Sequence, residues 1–313
     1  MLRAWFVPAR HRNGSAVILL HGVSDNRLGM YGYAQPLLRA GFDVLLPDAR
    51  AHGESGGAIA TYGMLERDDI ARWAALLRGR GERCVDGLGE TMGAGQVLQA
   101  VGTAQFCAAV AESGFSDFRQ VSYERIGYHL GFGGAWMGRT VLRPLVWVGM
   151  AYARVRYGVN FWNASPVSVL AKAQTPVLLI HGEDDTNILP WHSVRMHEVD
   201  PQSELWLVPG AEHCGAVGAD RGAFWRKVLA AFNGASGAPA ESGAQNGASN
   251  LDSILRDETS GMSALPDARP DSDAPKMGQN GRRRKISSTM LAKGCSIVLG
   301  ENRLIFQRNL RRI

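Results

Sequence analysis

Four short segments of this 313-residue chain carry side chains that could act together on a carbonyl carbon. Gly87-Leu88-Gly89-Glu90-Thr91-Met92-Gly93-Ala94-Gly95 reads as strand, tight turn and helix, in the pattern G-x-S-x-G with threonine in the serine position. The glycines suit a turn in which strand folds sharply into helix, which exposes the central hydroxyl and aims a helix N-terminus at the reacting centre. His181-Gly182-Glu183-Asp184-Asp185 places acids directly after an apolar run, and a carboxylate there can fix the tautomer of a histidine and stabilise its charged form. Gly210-Ala211-Glu212-His213-Cys214-Gly215 follows the last apolar run, 28 residues beyond Asp185, and offers a histidine on a loop with room to act as a general base. After the first central run, His21-Gly22-Val23-Ser24-Asp25-Asn26 could present a backbone N–H to a developing oxyanion, so Val23 and Met92 are the expected donors. Each segment also has a plainer reading: a glycine-rich turn, an acidic loop or helix cap, a solvated histidine. For Asp184 the plainer reading is the better one. Ala51-His52-Gly53-Glu54-Ser55 is expected to shape the site, with His52 structural.

The elements that must position these segments recur along the chain. Apolar runs at Ser15–Leu20, Phe42–Leu46, Arg83–Leu88, Phe106–Ala111, Pro176–Ile180 and Glu204–Val208 are nearly unbroken by polar residues, as strands buried on both faces are. Between them, Met64–Leu77 and Arg221–Phe232 space apolar residues three and four apart, predicting helices with one apolar stripe. The pattern is that of a mostly parallel sheet covered by helices, with ligands at the carboxyl ends of its strands. Leu2–Val7 alternates and predicts an outer antiparallel strand, which leaves no room for an additional first strand, as expected of a chain that starts late in such a sheet. Residues 116–172 interrupt the alternation with Tyr123, Tyr128, Phe132, Trp136, Trp147, Tyr152, Tyr157 and Trp162, and predict a helical cap. The apolar stretch Val141–Tyr152 contains Arg143 and Pro144 and is shorter than the roughly 20 residues a bilayer needs, so it is read as a helix packed on protein.

Composition bounds the rest. With 45% apolar residues, residues 1–233 suffice for one large domain. Residues 234–313 are rich in Gly, Ala, Ser, Pro and Asp and are expected to be a disordered tail through about Gln279, with a basic end starting at Arg282-Arg283-Arg284-Lys285 and a hairpin-like run at Ser296–Phe306. The tail holds 12 Lys+Arg against 8 Asp+Glu, so most of the net charge of +5 belongs to it and only +1 to residues 1–233. No nucleic-acid partner is therefore expected for the folded part. Cys84, Cys107, Cys214 and Cys295 show no paired spacing, which argues against a disulfide framework, and neither a signal peptide nor a transmembrane run is visible, so a cytoplasmic location is the default expectation.

The four segments, in this order, resemble the α/β-hydrolase superfamily, in particular the bacterial branch grouped with serine aminopeptidase-like and monoglyceride-lipase-like proteins. The resemblance covers residues 2–233 and implies an esterase, lipase, thioesterase or peptidase that works without metal or organic cofactor on a small acyl substrate. Carried over by motif, Thr91 takes the nucleophile position, Asp185 the acid, His213 the base, and Val23 with Met92 the oxyanion hole. Thr91 departs from the family pattern: its extra methyl restricts χ1 and crowds the attacking trajectory in a turn where a β-branched residue is an outlier.

Two functions follow. One is hydrolysis of carboxylic ester, thioester or amide bonds by a Thr/Ser-His-Asp triad through an acyl-enzyme. The other is a weak or inactive pseudoenzyme that keeps the scaffold and binds a small acyl ligand or a partner. A third, binding of nucleic acid or an anionic membrane by the basic end, rests on a charge run of the kind that usually faces solvent. The aromatic insertion points to an apolar acyl or aryl group, although aromatic stripes are more often core.

Overall fold

A computed structural model describes residues 1–131, 134–235 and 311–312. Its strands are β1 (Ala4–Val7), β2 (Ser15–Leu20), β3 (Asp43–Pro47), β4 (Cys84–Glu90), β5 (Ala109–Glu112), β6 (Val177–Gly182), β7 (Glu204–Val208) and the two-residue β8 (Arg311–Arg312). They form one sheet in the order β7-β6-β5-β4-β2-β3-β1-β8. From β7 to β3 every neighbouring pair is parallel. β1 lies antiparallel on β3, as its alternation predicts, and β8 antiparallel on β1.

Both faces of the sheet are covered, which is why its strands read as continuous apolar runs. In β2, Ala16, Ile18 and Leu20 join one buried cluster while Val17 and Leu19 join the other, the alternation expected of successive side chains in a strand. The first cluster receives α2 (Glu66–Gly79), α3 (Met92–Ala100), α7 (Pro166–Leu170) and α8 (Trp191–Val199); the second receives α1 (Tyr31–Arg39) and α10 (Arg221–Ala235), with α9 (Ala216–Ala219) leading into it. Each fully buried leucine or phenylalanine in these clusters contributes about 1.5–3 kcal/mol. The acids Glu66, Asp68 and Asp69 occupy the first turn of α2, where the helix dipole favours negative charge.

Between β5 and β6 lie α4 (Phe118–His129), α5 (Gly134–Arg139) and α6 (Arg143–Tyr157), ahead of α7. Asp117 caps α4 by accepting from the N–H groups of Arg119 and Gln120. Pro144 sits in the first turn of α6 and Gly158 ends it in the left-handed region. The two ends of this insertion meet: Phe118 N–H donates to Ala164 O at 2.9 Å and Val167 N–H to Ser116 O at 3.0 Å.

Three expectations need correction. The helix expected over Val141–Tyr152 forms, but within α6 only Val146 and Met150 are buried, so most of its apolar surface faces outward. The strand expected over Phe106–Ala111 begins at Ala109; just before it Cys107 N–H and Ala108 O still bond β4, but Ala108 N–H turns to the Asp86 carboxyl at 2.9 Å. Cys84 and Cys107 form a disulfide, with Cα atoms 5.8 Å apart. The pairing follows from the register of β4 against the lead-in to β5, where Cys107 N–H donates to Val85 O, and a separation of 23 residues does not announce it. The run Ser296–Phe306 lies outside the described residues.

Candidate active site

Thr91 occupies the turn between β4 and α3 with φ 47° and ψ −105°. For a β-branched residue this is a strained conformation, costing on the order of 1–3 kcal/mol. The surroundings hold it there. A Cβ on Gly89 would lie 2.3 Å from the Gly93 carbonyl, and one on Gly93 would lie 2.1 Å from Leu20 O, so only glycine lets strand, helix and β2 approach this closely. Thr91 N–H donates to Glu112 O at 2.9 Å, which ties the turn to the end of β5. The side chain is nearly buried, and its methyl lies against the loop after β2: a Cβ on Gly22 would come within 2.5 Å of Thr91 Cγ2.

That loop carries Val23. His21 braces it, with Nδ1–H donating to Gly22 O at 2.7 Å and Nε2 accepting from Ala49 N–H at 3.0 Å, a pattern that fixes the neutral tautomer. Burial lowers the His21 pKa and reinforces that neutral form. His52 bonds the Arg50 carbonyl at 3.0 Å and packs 5.2 Å from the His21 ring, a structural role for its loop. Met92 is the first residue of α3, so its N–H has no acceptor within the helix.

Asp185 and His213 are in direct contact. Asp185 Oδ1 accepts from Asn187 N–H at 2.9 Å and Ile188 N–H at 3.0 Å, while Oδ2 accepts from His213 Nδ1 at 2.7 Å. Because a carboxylate only accepts, Nδ1 carries the proton and Nε2 is the basic nitrogen of the neutral ring. His181 adds a second contact, its Nε2 lying 3.3 Å from Asp185 Oδ2 while bonding the Ile188 carbonyl at 2.8 Å. Burial alone would raise the Asp185 pKa, but the hydrogen bonds from His181 and His213 and the electrostatic attraction of His213 hold it well below the usual carboxylate range. Asp184 is exposed and its N–H bonds Ala211 O, in keeping with a loop residue.

Two acids missed by motif reasoning lie behind this site. Glu90, just before Thr91, and Glu112 are register partners on β4 and β5. Tyr33 OH lies 2.9 Å from Glu112 Oε2 and 3.3 Å from Glu90 Oε2. Glu112 Oε1 also accepts from Ala216 N–H at 3.1 Å, and Cys214 N–H donates to Ser113 Oγ at 3.1 Å. The end of β5 therefore fastens both the Thr91 turn and the His213 loop. Burial, then the charges of Glu112 and Asp25, push the Glu90 pKa up to about 8, against hydrogen bonds from Tyr33 and from Gly22 N–H. Burial likewise raises Glu112. An acid closing each of two adjacent buried runs was visible in the sequence, but their pairing depends on register.

Among the described residues, one group brings three metal-type ligand atoms together: Cys84, Asp86 and Cys107. Two of the three are joined as the disulfide, and the group lies at the start of β4, away from Thr91 at its far end. Asp86 is buried, which pushes its pKa up to about 8.

A central parallel sheet, a strained strand-to-helix turn and an acid–histidine pair on the loops after β6 and β7 define the α/β-hydrolase class. The sequence matches the alpha/beta hydrolase family over residues 17–225, and the chain belongs to that family. It is 31% identical over 233 residues to the uncharacterized protein YqkD of Bacillus subtilis (strain 168), covering 72% of each chain. It is 24% identical over 243 residues to the uncharacterized protein YfhR of Escherichia coli (strain K12), covering 74% of this chain and 75% of that one. Among solved structures, the Pyrococcus furiosus esterase Pf2001 superposes with a TM-score of 0.57 at 22% identity, over 74% of this chain and 87% of that chain. The alpha/beta hydrolase GrgF from Penicillium sp. sh18 gives 0.57 at 18% identity, over 75% and 94%. No helix among the described residues is long and apolar enough to cross a membrane.

Proposed function

We propose that the protein hydrolyses carboxylic ester, thioester or amide bonds of a small acyl substrate through a Thr91–His213–Asp185 triad. The observation that carries this reading is the 2.7 Å contact between His213 Nδ1 and a buried, strongly acidic Asp185, on the two loops that follow β6 and β7. A histidine whose Nδ1 is held by a carboxylate keeps Nε2 available as a base, and similarity to an esterase such as Pf2001 accords with this reading. In the proposed reaction Thr91 Oγ attacks the carbonyl carbon while His213 Nε2 takes its proton, and the N–H groups of Val23 and Met92 receive the developing oxyanion. The tetrahedral intermediate collapses to an acyl-Thr91 ester as the leaving group departs with the proton from His213. Water, deprotonated by His213, then attacks the acyl ester and frees the acid and Thr91.

One observation favours the second reading, a pseudoenzyme. The Thr91 methyl lies against Gly22 in the loop that would hold the oxyanion, and a misplacement of about 1 Å can cost roughly a hundredfold in rate. Hydrolysis of a short p-nitrophenyl ester by the native protein and by Thr91→Ala, Thr91→Ser and His213→Ala separates the two. Turnover by the native protein that both alanine variants lose supports the hydrolase. Turnover by Thr91→Ser alone identifies a silenced scaffold, and inactivity of every variant removes the catalytic reading for this substrate class.

A further inference from the structure

We infer that the outward face of α6 is a docking surface for an anionic phospholipid bilayer. Leu145, Val148, Tyr152 and Val155 repeat at intervals of three and four, so they form one stripe along the helix, and all four face outward; Val148 is 67% and Val155 88% exposed. Trp147 flanks the stripe and Trp136 on α5 is 67% exposed. Amphipathic helices normally turn such a stripe inward, and here only Val146 and Met150 do so. An exposed apolar patch of this kind marks an interaction surface.

Charge selects the occupant. Between Glu124 and Glu183 the sequence has no Asp or Glu, yet it holds Arg125, Arg139, Arg143, Arg154, Arg156 and Lys172. Glu124 is buried and engaged by Arg139, so it leaves the face uncompensated. A helix of aromatic and aliphatic residues flanked by arginines, too short to span a bilayer, has the composition of one that lies in the interface plane. A second copy would meet this face with the same cations, whereas residues 234–275, with 7 Asp+Glu against 2 Arg, are a competitor that the anionic bilayer must displace. A groove of about 350 Å³ between α4 and α6, walled by Phe118, Ile126, Val146 and Met150 with Arg125 and His129, matches an acyl chain with an anionic head. The inference does not depend on turnover at Thr91.

The test is co-sedimentation of the full chain with phosphatidylglycerol/phosphatidylcholine vesicles and with phosphatidylcholine vesicles alone. Binding is expected to the anionic vesicles only and to weaken with salt. Val148→Asp with Val155→Asp, at positions 67% and 88% exposed where folding is not at stake, should weaken it at least tenfold with an unchanged melting temperature. Replacing Arg143, Arg154 and Arg156 by Gln should weaken it about a hundredfold, at about 1 kcal/mol per cation. The inference is overturned by absence of binding at low salt, or by binding that survives both sets of changes and is lost when Arg282–Lys285 become Gln. It is equally overturned if the aspartate pair abolishes self-association in sedimentation velocity while vesicles are never bound.

Discussion

Glu90 and Glu112 stand opposite each other on neighbouring parallel strands, sharing the hydroxyl of Tyr33 directly behind the strained Thr91 turn. Two like acids this close in a buried site cannot both be ionised at low cost, and the native state answers by keeping Glu90 protonated well past the usual carboxylate range.

This makes stability depend on pH in a defined direction. Glu90 and Asp86 titrate at about 8 in the folded protein and near their ordinary values of about 4 when unfolded. Between those limits the native state holds more protons than the unfolded chain, so stability is greatest at the acid end and falls as pH rises towards 8, levelling beyond it. Melting temperatures from pH 5 to 9 should show this decline. Glu90→Gln and Asp86→Asn should each make it shallower, and a flat profile in the native protein would contradict the assignment.

Gly22 and Thr91 are expected to be energetically coupled. Gly22→Ala alone forces its methyl onto Thr91 Cγ2, a clash worth about 1–3 kcal/mol. In Thr91→Ser that carbon is absent, and the next neighbour, Glu90 Oε1, lies at an ordinary 3.6 Å. Urea unfolding of the two single variants and the double variant should return a coupling of about 1 kcal/mol or more.

Asp185→Asn tests the acid of the proposed triad. Turnover of a p-nitrophenyl ester should fall by about 10⁴-fold, the scale of a triad acid converted to an amide. A depressed carboxylate pKa stabilises the fold above its unfolded value and loses that contribution as pH drops below it, so the acid limb of the unfolding curve should also become shallower. Unaltered turnover with an altered acid limb would leave Asp185 a structural residue.

Glu124 anchors the helical insertion, bonding Trp191 Nε1 at 2.9 Å and His192 Nε2 at 3.2 Å as well as Arg139. Glu124→Ala leaves those donors without their shared acceptor and should cost about 2–4 kcal/mol, below the full buried-pair penalty because Arg139 is partly exposed. Hydrogen exchange should show protection falling in α4 and α5 while β2 and β4 keep theirs.

The sheet was legible because burial on both faces leaves strands such as Ser15–Leu20 with no polar position, a pattern that needs no knowledge of neighbours. The Thr91 turn was legible because its glycines are demanded by contacts within a few residues and with β2. Asp185 and His213 could be placed after their strands, but their contact spans 28 residues and is a tertiary fact. The same limit hid Glu112 and the Cys84–Cys107 bond, which depend on strand register. The apolar stretch Val141–Tyr152 was legible as a helix but its surroundings were misjudged, since apolar composition says nothing about what lies against a helix.

The hydrogen bonds that pair Phe118 with Ala164 and Ser116 with Val167 pinch the insertion into a stem where it leaves and rejoins the sheet. Whatever lies beyond that stem starts and finishes at nearly the same point in space, so its length and sequence can change while strands β5 and β6 keep their positions. The entropy of closing a longer or shorter loop over such a stem grows only logarithmically with its length. The insertion is therefore an exchangeable module: a different set of helices could be carried on the same stem without rebuilding the sheet beneath.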